Sequence, residues 1–203
     1  MTALSATAAS LAAHGVAYSL PIARAAARNG LDPTLLAAVA AQETGGPGSN
    51  AGRNILGDGG HGHGLFQIDD RWHAFARSPA AMDPAQNAER AAEMLHGLLD
   101  RYGGDERAAL SAYNSGSPSA RGTTTRWSDG TTLGYADSVL RHQAQIEDAR
   151  AELPDALGSV GSYAAPMDAS PRIPLAPPPT AQHSEQPWLD ELAAETTAST
   201  PTS

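Results

Sequence analysis

Leu31-Asp-Pro-Thr-Leu-Leu-Ala-Ala-Val-Ala-Ala-Gln-Glu-Thr-Gly-Gly46 has a helix start, an apolar body and a glycine stop. Asp32 is a helix-capping residue, and Pro33 suits the first helical position. Gly45 and Gly46 supply the stop. Between them, Leu36, Val39, Ala40 and Glu43 recur at spacings of three and four, so they share one helical face. An apolar face points inward, which puts the carboxyl of Glu43 at the end of a buried stripe. Burial disfavours the charged form and raises the pKa, giving a proton donor near neutral pH. The alternative is a solvated glutamate at a frayed helix end.

Helical signals continue on both sides. Ser19 to Asn29 reads as a helix, with Pro21 early and Gly30 beyond its end. Asp83-Pro-Ala-Gln86 starts another, with Gln86 placed to complete a capping box. Its apolar stripe is Ala88, Ala91, Leu95, Leu98, Leu99 and Tyr102, and Gly103-Gly104 ends it. Asp105 caps a short helix that carries Ala108, Ala109, Ala112 and Tyr113 and stops near Gly116. A last helix is expected from about Leu133 to Glu152, burying Tyr135, Val139, Leu140 and Ile146. Residues 45–64 are too rich in Gly, Asn and His for a helix, and a short hairpin is expected around Ile55 to Ile68. Residues 117–132 read as a polar loop.

The reading is therefore a mainly α domain over residues 19–153, with a small β-hairpin or loop element. Residues 1–18 form an N-terminal extension. Residues 154–203 change composition to Pro, Ala, Ser and Thr and read as a disordered acidic tail. Within it, Trp188 to Ala194 has the pattern of a short amphipathic turn for a partner that the sequence does not name.

Composition excludes several functions. The net charge is −9, and all 13 basic residues are Arg. Residues 1–153 carry −4 and the tail carries −5. No basic stripe exists, which argues against nucleic-acid binding. No apolar run is long enough to span a bilayer. The absence of Cys removes thiolate nucleophiles and thiolate metal sites. Met1 to Ala13 lacks the positive n-region of a signal peptide.

A second informative stretch is Gly57-Asp-Gly-Gly-His-Gly-His-Gly-Leu-Phe-Gln-Ile-Asp-Asp-Arg-Trp-His73. Its glycines let backbone turn sharply and approach a ligand. Asp58 and Asp69 bracket it. Packed against the end of the Glu43 helix, they would face a buried, protonated acid with solvated, ionised carboxylates. Glycosidic cleavage needs that division of labour. Asp58, His61, His63, Asp69 and His73 are also metal-ligand types, so a zinc site is a rival reading. A third stretch, Ala108-Ala-Leu-Ser-Ala-Tyr-Asn-Ser-Gly116, places Tyr113 and Asn114 at a helix end. There they offer an aromatic face and an amide to a sugar, or serve as core and cap.

In this order, Gln42-Glu43-Thr44, Gly64-Leu-Phe-Gln-Ile68 and Ala112-Tyr-Asn-Ser-Gly116 resemble goose-type lysozymes and, more broadly, lysozyme-like lytic transglycosylases. Gly57-Asp58-Gly59, Asp69, His73 and the run Gly130-Thr-Thr132 into Tyr135-Ala-Asp137 favour the goose-type branch. The resemblance covers about residues 20–148 and implies a lysozyme-like fold. It also implies a muramidase that cleaves the β-1,4 bond between N-acetylmuramic acid and N-acetylglucosamine, with inversion and without a cofactor or metal. By the resemblance Glu43 is the general acid, and Asp58 and Asp69 position or deprotonate the water. Gln67, His73, Tyr113, Asn114 and Tyr135 line the sugar cleft. The partner implied is the peptidoglycan glycan strand, at the cell wall, reached through the periplasm, from outside, or by phage delivery. The alternatives are a lytic transglycosylase leaving 1,6-anhydromuramic ends, and an inactive wall-binding or virion protein. Thr44-Gly45-Gly46 departs from the usual Ser-containing sequence, and the loop from Pro47 to Ile55 is longer than the pattern expects.

Overall fold

A computed structural model describes residues 2–151. The proposed tail and its Trp188 to Ala194 segment lie outside the described residues. Six helices and two small antiparallel sheets make up the domain. The helices are α1 (Ala3–Ala13), α2 (Ser19–Arg28), α3 (Pro33–Ala40), α4 (Pro84–Arg101), α5 (Glu106–Ser115) and α6 (Tyr135–Ala151). Strands β1 (Ile55–Gly57), β2 (Gly62–Gly64) and β3 (Ile68–Asp69) form one sheet in that order, and β4 (Thr124–Arg126) pairs with β5 (Thr132–Gly134). The mainly α, lysozyme-like expectation therefore holds.

Helix α3 is the hub. Asp32 caps it by accepting from the Thr34 amide at 2.7 Å, with Pro33 at the first position. The sequence suggests one apolar stripe, but every residue from Thr34 to Ala40 is buried. This helix is wrapped by α2, α6 and α1 and is apolar on all sides. Its small residues, Ala37, Ala38 and Ala40, permit that close enclosure. It ends in a π-turn over Ala41–Gly45, which carries Glu43, and Gly46 closes the turn at φ 90°.

Residues 3–13 are more than a bare extension. They form α1, which packs on α2 and buries Ala8 and Leu11 in the common core. Asp83 caps α4 through the amides of Ala85 and Gln86, but the reciprocal half of the capping box does not form. The Asp83 amide donates instead to the Ala80 carbonyl at 3.0 Å, inside the short 3-10 turn that precedes the helix. Gly116, in the left-handed region at φ 76°, caps α5, so Asn114 sits within the helix.

Residues 117–132, expected as a plain loop, contain β4 and lead into β5. Trp127 closes this hairpin, its amide donating to the Thr131 carbonyl at 2.8 Å. The indole packs on α6 against His142, with ring centroids 4.7 Å apart, and the Arg141 guanidinium lies 4.2 Å from the Trp127 ring centre. Alternating Thr residues gave no apolar periodicity in this stretch, and the one anchor is a single Trp.

Candidate active site

The end of the α3 segment is tied to the first sheet by Thr44. Its hydroxyl shares its proton between the carbonyls of Ala40 (3.1 Å) and Leu65 (3.2 Å) and accepts from the Arg53 amide at 2.7 Å. The sheet is tied to α4 by Asn87, which is fully buried. Its Oδ1 accepts from the Phe66 amide at 2.8 Å, and its Nδ2 donates to the carbonyls of His63 and Ala81, each at 3.0 Å. Such a buried amide is tolerable because its donors and acceptor are used. Thr44 thus fixes the hairpin against the acid-bearing segment, and Asn87 fixes it against α4.

The resulting cleft is lined by Glu43, Phe66, Gln67, Ile68, Asp69, Trp72, His73, Met94, Tyr113 and Asn114. Six of the eight site residues read from the sequence are among them. The other two stand just behind. Tyr135 donates a hydrogen bond to Oε1 of Glu43 at 2.6 Å. Asp58 joins Asp69 through Arg71.

Burial pushes the Glu43 carboxyl up from 4.5 to about 7, and the Tyr135 hydroxyl partly opposes this by hydrogen-bonding the charged form. Near neutral pH, Glu43 can therefore hold a proton and give it up. The Tyr135 ring stacks on Tyr113 with centroids 6.4 Å apart and planes 17° from parallel. Burial and the nearby Glu43 carboxylate push both phenols well above their ordinary range, so they remain neutral donors.

Arg71 holds the two aspartates of the loop. Its Nε lies 3.0 and 3.1 Å from the oxygens of Asp69, and its Nη2 bonds Asp69 and Asp58 together. The carboxylates push the guanidinium further above its ordinary value, so it stays charged. The sequence reading took Asp58 and Asp69 as carboxylates facing the cleft on their own. They share one cation, and the Asp-Asp-Arg run after Ile68 was the available signal for it.

Gln67 combines a place at the cleft with a role inside the hairpin. It borders the cleft, but its Nε2 donates to the carbonyls of Ile55 (3.0 Å) and Gly64 (2.8 Å) within the hairpin. Its Oε1 occupies the space that Cβ atoms at Gly57 and Gly62 would need, which is why those positions are glycine. Gln67 and Asp58 both adopt positive φ, 48° and 46°, a conformation unfavourable for side-chain-bearing residues and concentrated here at the site. Asn114 accepts from the Thr123 amide at 2.8 Å, so it fastens the second hairpin's leading loop to the cleft wall.

His61 and His63 sit outside the cleft and both face Asp70, at 2.8 and 3.2 Å. Among the described residues, no three His, Asp or Glu side chains converge as a metal-binding group. Trp72 and Met94 are cleft residues that the sequence reading did not single out. Trp72 lay within the quoted Gly57 to His73 stretch, whereas Met94 offered no signal beyond its place on α4.

The cleft thus sets a buried acid beside a glycine-rich hairpin and a paired-carboxylate loop, within a lysozyme-like fold. The chain belongs to the transglycosylase SLT domain family, whose description it matches over residues 21–129. The domain acts on peptidoglycan, by lytic-transglycosylase or lysozyme-like cleavage. No solved structure matches the chain. Among the described residues no helix is long and apolar enough to cross a membrane.

Proposed function

We propose that the protein is a goose-type muramidase, cleaving the β-1,4 bond between N-acetylmuramic acid and N-acetylglucosamine by hydrolysis. The observation that carries this reading is that Glu43, poised near pH 7, and Asp69, paired with Arg71, line one cleft. The Glu43 carboxyl, with Oε1 engaged by Tyr135, gives the proton on its other oxygen to the leaving glycosidic oxygen. Positive charge then develops on the sugar ring. Asp69 stabilises it, orients a water on the opposite face and takes the proton that this water loses as its oxygen bonds the anomeric carbon, giving inversion. Asp58 acts through Arg71, fixing the guanidinium that positions Asp69. Gln67 and Asn114 hold the two hairpins that frame the cleft, and Tyr113 supports Tyr135. His73 is a buried wall of the same cleft.

A second reading rests on a specific feature. Arg71 occupies oxygens of both aspartates, which leaves Glu43 as the carboxyl without a cationic partner in the cleft. A lytic transglycosylase needs only that one group, as acid and then as base for the muramic 6-hydroxyl. Mass spectrometry and NMR of released muropeptides separate the two. Reducing muramic ends, formed first as the α-anomer, support inverting hydrolysis. Anhydromuramic ends replace it with the transglycosylase reading. No release by wild-type protein, with sugar binding intact, favours a wall-binding protein.

A further inference from the structure

Three carbocyclic aromatic residues line the cleft, and they differ in exposure. Phe66 and Tyr113 are 1% and 7% exposed and belong to the core. Trp72 alone of the three keeps part of its surface open. Its indole N–H, by contrast, is enclosed and has no hydrogen-bond partner among the described residues. An anchor chosen only to fill space would avoid that unpaired donor, as Phe or Leu does. The open part of Trp72 is therefore the part of the side chain that its setting does not use.

The backbone that carries the ring is pinned. The Trp72 amide donates to the Asp69 carbonyl at 3.3 Å, and the His73 amide to the same carbonyl at 2.9 Å. Arg77 clamps the turn from outside, donating to the carbonyls of Asp70 (2.7 Å) and Arg71 (3.2 Å). Trp72 is thus carried on the same short turn as Asp69 and Arg71. A flat apolar face fixed beside polar groups suits a pyranose, whose axial C–H groups make one apolar face above a rim of hydroxyls.

We propose that Trp72 is a specificity-determining residue that stacks on an N-acetylhexosamine ring of the strand and holds it against the Asp69 turn. The inference rests on the glycan-cleaving reading of the cleft, but its ligand is the sugar ring itself. Oligomers of N-acetylglucosamine, which carry no peptide, are therefore sufficient to engage it.

The test uses the full chain with Glu43→Gln, so that bound sugar is not cleaved, titrated with N-acetylglucosamine oligomers by calorimetry. Tryptophan fluorescence provides a second readout. In that background Trp72→Phe keeps a stacking face and loses the unpaired N–H, whereas Trp72→Leu keeps apolar bulk without a face. Affinity is expected to stay within about threefold for Phe and to fall about tenfold or more for Leu, at unchanged melting temperature. With Glu43 restored, the Leu variant raises KM more than it lowers kcat. Equal affinity of the Leu variant and its parent overturns the proposal, as does an equal loss for Phe and Leu. Absence of any oligomer binding by the parent overturns it too. If oligomers bind through Trp72 but wild-type protein releases no muropeptides, the cleavage reading falls and the stacking proposal stands.

Discussion

Tyr135 and Glu43 lie 92 positions apart in the chain, and a 2.6 Å hydrogen bond joins them. The phenol is the first residue of α6, and the carboxyl sits in the π-turn that ends the α3 segment. Because the hydroxyl favours the ionised carboxylate while burial opposes it, this one contact sets how far the acid is tuned.

Tyr135→Phe should therefore raise the Glu43 pKa further. A hydrogen bond to a charged group is worth about 1.5 kcal/mol, which corresponds to about one pH unit. The alkaline limb of the kcat/KM profile, expected near pH 7 in the wild type, should move up by up to about one unit. A limb that stays in place would show that another group controls it.

Glu43→Gln should lower turnover of peptidoglycan by about 10²–10⁴-fold. It should also stabilise the fold at alkaline pH. The folded pKa is raised, so stability from the neutral carboxyl is present below about pH 4.5 and lost as pH rises through about 7. At about 1.36 kcal/mol per pH unit, the difference between 4.5 and about 7 amounts to at most about 3 kcal/mol. Thermal melts at pH 8 should favour the variant, and melts at pH 4.5 should show little difference.

Arg71→Gln should cost about 1–3 kcal/mol, because a largely buried Asp69 loses a charge-assisted partner. Lys at the same position should restore only part of this, since it cannot reproduce the forked contact. Denaturant unfolding gives the stability change. Muropeptide release should drop with both variants if Asp69 must be held in place.

His142 makes the domain acid-sensitive. It is fully buried against Trp127, neither ring nitrogen has a hydrogen-bond partner among the described residues, and burial with the nearby Arg141 charge lowers its pKa from 6.5 to about 4. The unfolded chain takes up the proton first, so stability falls as pH drops from about 6.5 towards 4. The loss is at most about 3 kcal/mol, again at about 1.36 kcal/mol per pH unit. His142→Leu should flatten melting temperature against pH in that window. An unchanged slope would assign the acid sensitivity elsewhere.

The helices were legible because their signals are local. Asp32, Asp83 and Asp105 each cap the helix start that the sequence assigned to them. The six site residues that border the cleft were legible because they lie in three short stretches, residues 31–46, 57–73 and 108–116. What escaped were relationships that depend on packing. Arg71 reads as one more surface arginine until the hairpin folds Asp58 back over it. The β4–β5 hairpin has short Thr-rich strands without an apolar alternation, and its register is held by Trp127 on α6. The side-chain role of Gln67 was hidden because its space comes from glycines at Gly57 and Gly62, which the sequence shows only as turn formers.

The β4–β5 hairpin touches the residues on either side of the acid's chemistry. Thr125 accepts a hydrogen bond from Gln42 at 2.8 Å, next door to Glu43, and β5 runs without a break into Tyr135. The proton affinity of the acid is therefore adjustable from a remote handle. Lengthening the 127–131 turn, or loosening Trp127 from α6, should shift the working pH range through Tyr135 with the carboxyl itself unchanged.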